Sequence, residues 1–409
     1  MKARVTVVTS GHLATCPRML KAADALHAAG YAVRVVSTSQ TAWAAEADRQ
    51  LHRRRQWKWE PLFYDRDSAP LQWLAAGARF KGARVAARAL GAARPRAIAT
   101  AAYSRMHAEL VDAILREPAD FIYGGTSGAL AAVAEAARAS GTPFAVDFED
   151  LHCGENATDA EGTLLNDLAA STMADAVVGA SFVTVGSEAI GRACRERLGV
   201  EALTINNVFP LPAPPEPQPG RDLRLYWFSQ TIGPGRGLED VVRAAGISQL
   251  RAELHLRGLP AAGYLPALQA LADSVAPDLR FVHHAPSDPD GLVDASREFD
   301  VGLALEPGHT VNNALCLSNK ALTYPLAGLA MVVTDTPGHH PLACDLDGDA
   351  IVYQPADVER LAGGLARWAA DGAALARAKA AAWHAARRRW HWEHPLERAR
   401  LLAAVEAAA

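Results

Sequence analysis

Two stretches of this chain combine residue types that bind anions. The first is Ser318-Asn319-Lys320-Ala321-Leu322-Thr323-Tyr324-Pro325-Leu326-Ala327-Gly328, which runs straight into the apolar segment 329–335. Ser318 is placed to cap a helix, because its hydroxyl can accept an orphan amide of the first turn. Gly328 ends that helix by taking the left-handed conformation without strain. A short helix with Asn319 and Lys320 at its amino end presents amides, a helix dipole and a full positive charge to an anion. The second stretch is Ser229-Gln230-Thr231-Ile232-Gly233-Pro234-Gly235-Arg236-Gly237-Leu238-Glu239, between a strand expected to end at Phe228 and a helix. Gly233, Gly235 and Gly237 let the backbone approach phosphate oxygens, and Arg236 can grip them bidentately. The glycine spacing is GxGxG, and Arg257-Gly258 stand where an acid would end the next strand, which speaks against a dinucleotide fingerprint.

The first half carries a different chemistry. Asp147-Phe148-Glu149-Asp150-Leu151-His152 follows an apolar run that reads as a strand. Carboxylates beside a histidine at a strand's carboxyl end are costly to bury unless solvated, paired or in use. They can orient a hydroxyl or stabilise positive charge on a sugar carbon; the structural alternative is an acidic loop that caps the next helix. Gly11, His12 and Arg18 follow the first strand and face the same edge. Arg18 meets an anionic group there or closes a structural ion pair.

Positioning these residues requires two sheets. Continuous β-branched and apolar runs at 5–8, 31–37, 121–123, 144–147 and 182–185 alternate with alanine-rich helical stretches such as 19–29 and 127–140. The alternation restarts at 223–228 and continues through 252–256, 280–283, 301–305, 331–333 and 351–353. Strands that are apolar on both faces and separated by helices make a covered parallel sheet. The expected architecture is therefore α/β, two tandem Rossmann-like doubly wound domains facing a cleft, with ligands beyond the carboxyl ends of the strands. The prolines from Pro210 to Pro219 forbid helix and inner strand and mark a connector. The expected division is 1–208 as a first domain, 209–222 as linker, 223–384 as a second domain, and 385–409 as a helix, kinked at Pro395, that returns to the first domain.

At 409 residues the chain can hold two cores, and a net charge of −4 gives no case for nucleic acid. No apolar run approaches the ~18 residues that cross a bilayer, and the amino-terminal run is too short for a secretory signal. Cys16, Cys153, Cys194, Cys316 and Cys344 are scattered and odd in number. That pattern points to a reducing compartment, the cytoplasm, and away from structural zinc. Residues 49–105 carry 13 arginines and lysines against Glu60, Asp65 and Asp67, with Trp57, Trp59, Phe63, Tyr64, Trp73 and Phe80 interleaved. This composition suits an anionic membrane surface; the alternative is a solvated arginine-rich face.

Over nearly its whole length, and in the same order, the chain resembles GT-B-fold glycosyltransferases of the family 4 (group 1) type. Pro17-Arg18 before a helix, the Asp147-Phe148-Glu149-Asp150 segment, Asn206-Asn207 before the linker, the Gly233 to Glu239 loop, the Asn319-Lys320 helix and Trp392-Glu393 carry the likeness. The resemblance implies transfer of a sugar from a nucleotide-sugar donor to an acceptor hydroxyl with retention of configuration. It implies no bound metal and no cofactor beyond the nucleotide sugar as co-substrate. Gln230, Gly233, Gly235, Arg236, Gly237, Glu306, His309, Asn312, Asn313, Ser318, Asn319, Lys320 and Thr323 would line the donor site. Glu149, Asp150, His152, Arg236 and Lys320 would carry catalysis. Gly11, His12, Arg18 and Asp147 would face a glycan or lipid-linked acceptor in cell-surface glycan or glycolipid synthesis. Three departures stand out: Gln230 replaces a basic residue, Thr323 replaces a glutamate that contacts the donor ribose, and Glu149 replaces a histidine. They leave open a nucleotide-sugar epimerase or hydrolase on the same fold, and a non-catalytic partner of a glycan-assembly complex.

Overall fold

The β-branched runs become strands buried on both faces, and the alanine-rich stretches become the helices that cover them. The computed structural model describes residues 2–216, 222–346 and 348–409. The chain divides into two units, Met1–Asn206 with Pro395–Ala409, and Asn207–His394.

In the first unit the elements run β1 (Arg4–Thr9), α1 (Pro17–Ala28), β2 (Ala32–Ser39), α2 (Ala42–His52), β3 (Lys58–Phe63), α3 (Pro70–Leu90), α4 (Arg96–Tyr103), α5 (His107–Leu115) and β4 (Phe121–Gly125). There follow α6 (Leu130–Ser140), β5 (Phe144–Phe148), α7 (Ala160–Ala176), β6 (Phe182–Val185), α8 (Glu188–Leu198) and β7 (Leu203–Thr204). The strands form one parallel sheet in the order β3-β2-β1-β4-β5-β6-β7. Every residue of β4 and β5 is buried, as a strand covered on both sides requires. Alanine permits the close cover: Ala131, Ala132, Ala134, Ala136 and Ala137 of α6 are all buried beside Leu130 and Val133. Asp159 caps α7 through the amide of Gly162 and Ser187 caps α8 through that of Ile190. A π-type turn, Pro395–Ala399, leads into the last helix, and Glu397 accepts from the amide of Asn206 at 2.6 Å.

The second unit contains β8 (Leu223–Ile232), α9 (Leu238–Ile247), β9 (Ala252–Pro260), α10 (Tyr264–Val275), β10 (Leu279–His284), α11 (Leu292–Ser296), β11 (Val301–Ala304), α12 (Val311–Leu315), α13 (Asn319–Ala327), β12 (Ala330–Thr334), α14 (His340–Asp345), β13 (Ile351–Tyr353), α15 (Val358–Ala370) and α16 (Gly372–Arg388). Its sheet is also parallel, in the order β10-β9-β8-β11-β12-β13. Trp227 and Trp368 are buried in its core with Leu225, Leu254, Val301, Val332 and Leu365.

Several expectations need adjusting. Strand β8 does not stop at Phe228; it passes a register irregularity between Phe228 and Thr231 and ends at Ile232. The extra turn of strand escapes a hydrophobicity reading because Ser229, Gln230 and Thr231 are polar. Strand β3 lies inside the basic, aromatic stretch 49–105 and was hidden by it. Its neighbourhood is built rather than merely solvated: Trp57 Nε1 donates to Asp24 (2.7 Å) and Trp59 Nε1 to Ser37 (2.9 Å). Arg79 pairs with Glu109, Arg84 and Arg88 with Glu161, and Arg96 with Asp175. The described part of the proline connector belongs to the second unit, where Arg297 donates to the Ala213 carbonyl (2.7 Å) and the Leu211 amide to Glu393 (3.0 Å). Residues 217–221 of the expected linker lie outside the described residues. The terminal helical stretch is interrupted after Arg388, and the residues assigned to the first unit begin again at Pro395 rather than 385.

Candidate functional site

In each sheet the chain winds outward one way, then crosses to the other side of its first strand. Loops at that reversal diverge and leave a crevice beyond the strand ends. In the second unit the reversal falls between β8 and β11. The loop after β8 holds Gly233, Gly235, Arg236 and Gly237, and the loop after β11 holds Glu306. Gly235 and Gly237 have φ of 71° and 76°. A Cβ on Gly237 would stand 2.8 Å from both Cβ and carbonyl oxygen of Leu305, so only glycine lets the two loops touch.

Behind that contact is a polar group in a buried setting. Lys320 Nζ lies 2.5 Å from Glu306 Oε1, and both side chains are at most 10% exposed. Ser318 Oγ donates to Glu306 Oε2 (3.1 Å), accepts from the Ala321 amide (3.4 Å) and lies 3.1 Å from His339 Nε2. His339, fully buried at the start of α14, is also 3.4 Å from Glu306 and is held by Thr334 at 3.3 Å. Burial works to raise the Glu306 carboxyl, but Lys320, His339 and the bonds from Lys320 and Ser318 outweigh it and hold its pKa below the ordinary value. Burial lowers the His339 pKa below its ordinary value, against the opposing pull of Glu306.

The other expected donor residues are placed as follows. Arg236 is exposed between two left-handed glycines, with no side-chain partner among the described residues. Gln230 is exposed on the last turn of β8. Asn313 folds its own loop by accepting from the Gly308 amide (2.7 Å); Asn312 stands beside it on α12, and His309 is exposed. Asn319 is exposed at the first position of α13, where its side chain accepts from Asn207 (2.8 Å). Thr323 is not brought to this group: it is fully buried and its hydroxyl donates to the Asn319 carbonyl (2.7 Å) within the helix.

The first unit reverses between β1 and β4. There Thr126 takes a φ of 71°, and its hydroxyl accepts from the Ser10 amide at 2.9 Å. Gly11 passes Cys16 so closely that a Cβ would meet Sγ at 2.9 Å. His12 is buried with both ring nitrogens engaged. Its Nδ1 donates to Asp48 (2.7 Å), while Nε2 accepts from the amides of Gln40 (3.1 Å) and Thr41 (3.3 Å). Arg18 and Asp147 are buried partners: Nε and Nη2 donate to the carboxylate at 2.8 and 2.5 Å, and Nη1 donates to the Ile205 carbonyl. Thr184 donates to the same carboxylate (2.5 Å), which satisfies the pair from all sides. Of the two roles open to Arg18, the geometry is that of an internal latch.

Above the latch, Glu149 and Asp150 are half-buried in the loop after β5. Burial pushes the Glu149 carboxyl up to about 7 against the opposing pull of Arg18, with Asp150 and Asp147 adding to the rise. His152 Nδ1 bonds Glu155 at 2.6 Å, while its buried Nε2 has no partner among the described residues. Burial disfavours its charge, yet the bond to Glu155 and the nearby carboxylates hold its pKa above the ordinary value. The sequence reading missed His339, Thr334, Asp48 and Thr126. A signal existed only for the last, in the run Gly124-Gly125-Thr126-Ser127-Gly128 after a buried strand. Among the described residues no three His, Cys, Asp or Glu side chains converge as a metal site would need.

No protein-family model matches the chain, and no curated protein matches it in sequence. Solved structures do match. HepE of Anabaena, in complex with UDP and glucose, is 14% identical and aligns over 99% of this chain and 99% of its own, with a TM-score of 0.67. Sucrose-phosphate synthase of Thermosynechococcus elongatus is 12% identical over 100% of both chains, with a TM-score of 0.66. A mutant of TarM from S. aureus, in a complex that includes UDP, is 7% identical over 100% of this chain and 99% of its own, at 0.64. The fold is therefore GT-B, the two-sheet α/β architecture of these glycosyltransferases.

Proposed function

We propose that the chain is a glycosyltransferase. It moves a sugar from a nucleoside diphosphate sugar to an acceptor hydroxyl, with retention and without a bound metal. The carrying observation is the meeting of the Gly233–Gly237 loop with the Glu306–Lys320–Ser318 group at the amino end of α13. A leaving diphosphate needs preorganised positive charge at the moment the glycosidic bond breaks. Arg236, free to turn inward, supplies a mobile fork, and loop amides and the amino ends of α9 and α13 supply fixed dipoles. Lys320, anchored by Glu306, offers a charge whose position costs little further ordering. This reading assigns Gln230, Asn312, Asn313 and Asn319 to the ribose and sugar hydroxyls.

On the first unit, this reading assigns the acceptor hydroxyl and the developing charge on the sugar carbon to Glu149 with its raised pKa, Asp150 and the His152–Glu155 pair. Gly11, His12, Arg18 and Asp147 act beneath them as shape and support. The proposed acceptor is a glycan or a lipid-linked sugar in surface-glycan synthesis, met at an anionic membrane. A second reading, nucleotide binding without catalysis, is favoured by the uncharged Gln230 and the buried Thr323.

The test is turnover of a panel of nucleoside diphosphate sugars, beginning with UDP-glucose, by wild type and Arg236→Ala. The proposal expects selective turnover that Arg236→Ala removes while stability is unchanged. Donor turnover at the wild-type rate in Arg236→Ala sinks it.

A further inference from the structure

Helix α3 is 21 residues long, about 31 Å at 1.5 Å per residue. Only Ala76 and Ala87 on it are fully buried. Its inner side rests on α4 and α7 through a small seam of Ala87, Ala99, Ala102 and Leu168. The opposite side, by helical spacing, carries Leu71, Leu74, Ala78, Gly82, Val85 and Ala89. Leu71, Leu74 and Val85 are 82%, 57% and 64% exposed. A helix facing water reverses this pattern and turns its charged residues outward.

The charges that flank the stripe have one sign. Between Ser68 and Ala108 there is no Asp or Glu, while Arg79, Lys81, Arg84, Arg88, Arg94, Arg96 and Arg105 are all present. Lys81 and Arg88 border the stripe on one side and Arg79 on the other, by the same spacing. Arg66 leans over the Trp73 ring at 4.5 Å, near the helix start. Arg79, Arg84 and Arg88 find their carboxylates on α5 and α7, in Glu109 and Glu161, and none on α3 itself.

We infer that α3 is the element that seats the chain on an anionic lipid bilayer, lying in the headgroup plane with Leu71, Leu74 and Val85 among the acyl chains. This rests on, and deepens, the membrane part of the proposed function. The chemistry of an interfacial helix is an apolar stripe edged by cations; α3 presents Lys81 with no carboxylate partner among the described residues, and Arg79 and Arg88 held by Glu109 and Glu161 of neighbouring helices. A second protein fits less well. The stripe is one narrow helix face, whereas a stable interface takes ~800 Å² per partner, and Leu71, Leu74 and Val85 include none of the aromatic anchors such interfaces favour.

The experiment is flotation of the intact chain with vesicles of phosphatidylcholine alone and of phosphatidylcholine doped with phosphatidylglycerol. Wild type is expected to float only with the anionic vesicles, and less as salt is raised. Leu71→Ser/Leu74→Ser/Val85→Ser should weaken partitioning at least tenfold, and Lys81→Glu by about fivefold or more, as removal of a near-surface cation does. Both variants should bind nucleoside diphosphate as wild type does, so a failed donor reading and a failed docking reading give different results. Wild type that ignores anionic vesicles, or variants that float like wild type, overturns the inference. So does an oligomer that the triple variant dissociates, which would make the stripe a protein interface.

Discussion

Lys320→Met separates the buried ion pair from the anion site it serves. Glu306 and Lys320 are 2.5 Å apart and nearly buried, so the variant strands a carboxylate with Ser318 and His339 as its remaining side-chain partners among the described residues. Removing one partner of such a pair costs about 3–5 kcal/mol. Glu306 can recover part of that by taking a proton, which reverses the sign of its pH dependence. In wild type its folded pKa is depressed, so its contribution is present above the unfolded value near 4.3 and is lost as pH falls through the lower folded value. In Lys320→Met burial wins and the folded pKa lies above the unfolded one. The folded state then holds a proton that the unfolded state has released, and stability falls as pH rises between the two values. Urea unfolding at pH 5 and pH 7 reads this as a difference between the two proteins: the raised Glu149 pKa makes wild type itself weaker at pH 7, and Lys320→Met loses more again between pH 5 and pH 7. Glu306→Gln/Lys320→Met should regain most of the loss, since two neutral groups leave no buried charge. Nucleoside diphosphate binding should weaken ~10–100-fold in Lys320→Met, the ~1.5–3 kcal/mol of a charged hydrogen bond. Wild-type unfolding at both pH values, with wild-type nucleotide affinity, refutes the reasoning.

Two further substitutions test other parts of the account. Gly237→Ala forces a Cβ to 2.8 Å from Leu305 at a φ of 76°, so a loss of about 2 kcal/mol or more in urea unfolding and weaker nucleotide binding are expected. A variant of wild-type stability and affinity would mean the two loops need not touch. Arg18→Met leaves Asp147 buried with Thr184 as its remaining side-chain partner and should cost ~3–5 kcal/mol, with Arg18→Met/Asp147→Leu less damaged than the single change. If Arg18→Met instead keeps full stability and loses only acceptor affinity, the latch assignment falls.

The parts of this fold that were legible in the sequence are those governed by local rules. Ser318 and Gly328 bracket α13 because capping needs only a hydroxyl at one end and a left-handed residue at the other. Runs such as 331–333 read as strands because both faces of a covered parallel strand must be apolar. Strand β3 did not, since an edge strand with Lys58 and Glu60 lacks that signature. The pairing of Arg18 with Asp147 joins residues 129 apart and comes from strand order, not from spacing. Likewise Lys320 was visible as a helix-end cation, but its hold on Glu306, and His339 behind it, exist only once β11, α13 and β12 lie side by side.

The most direct measurement is calorimetric titration of nucleoside diphosphates, UDP first, into the intact chain in the presence of a chelator, with Arg236→Ala and Lys320→Met alongside. Saturable, metal-independent binding of one nucleotide, weakened by both substitutions, is the result the account predicts. A folded protein that binds none of them, or binds one equally well without Arg236 and Lys320, contradicts it.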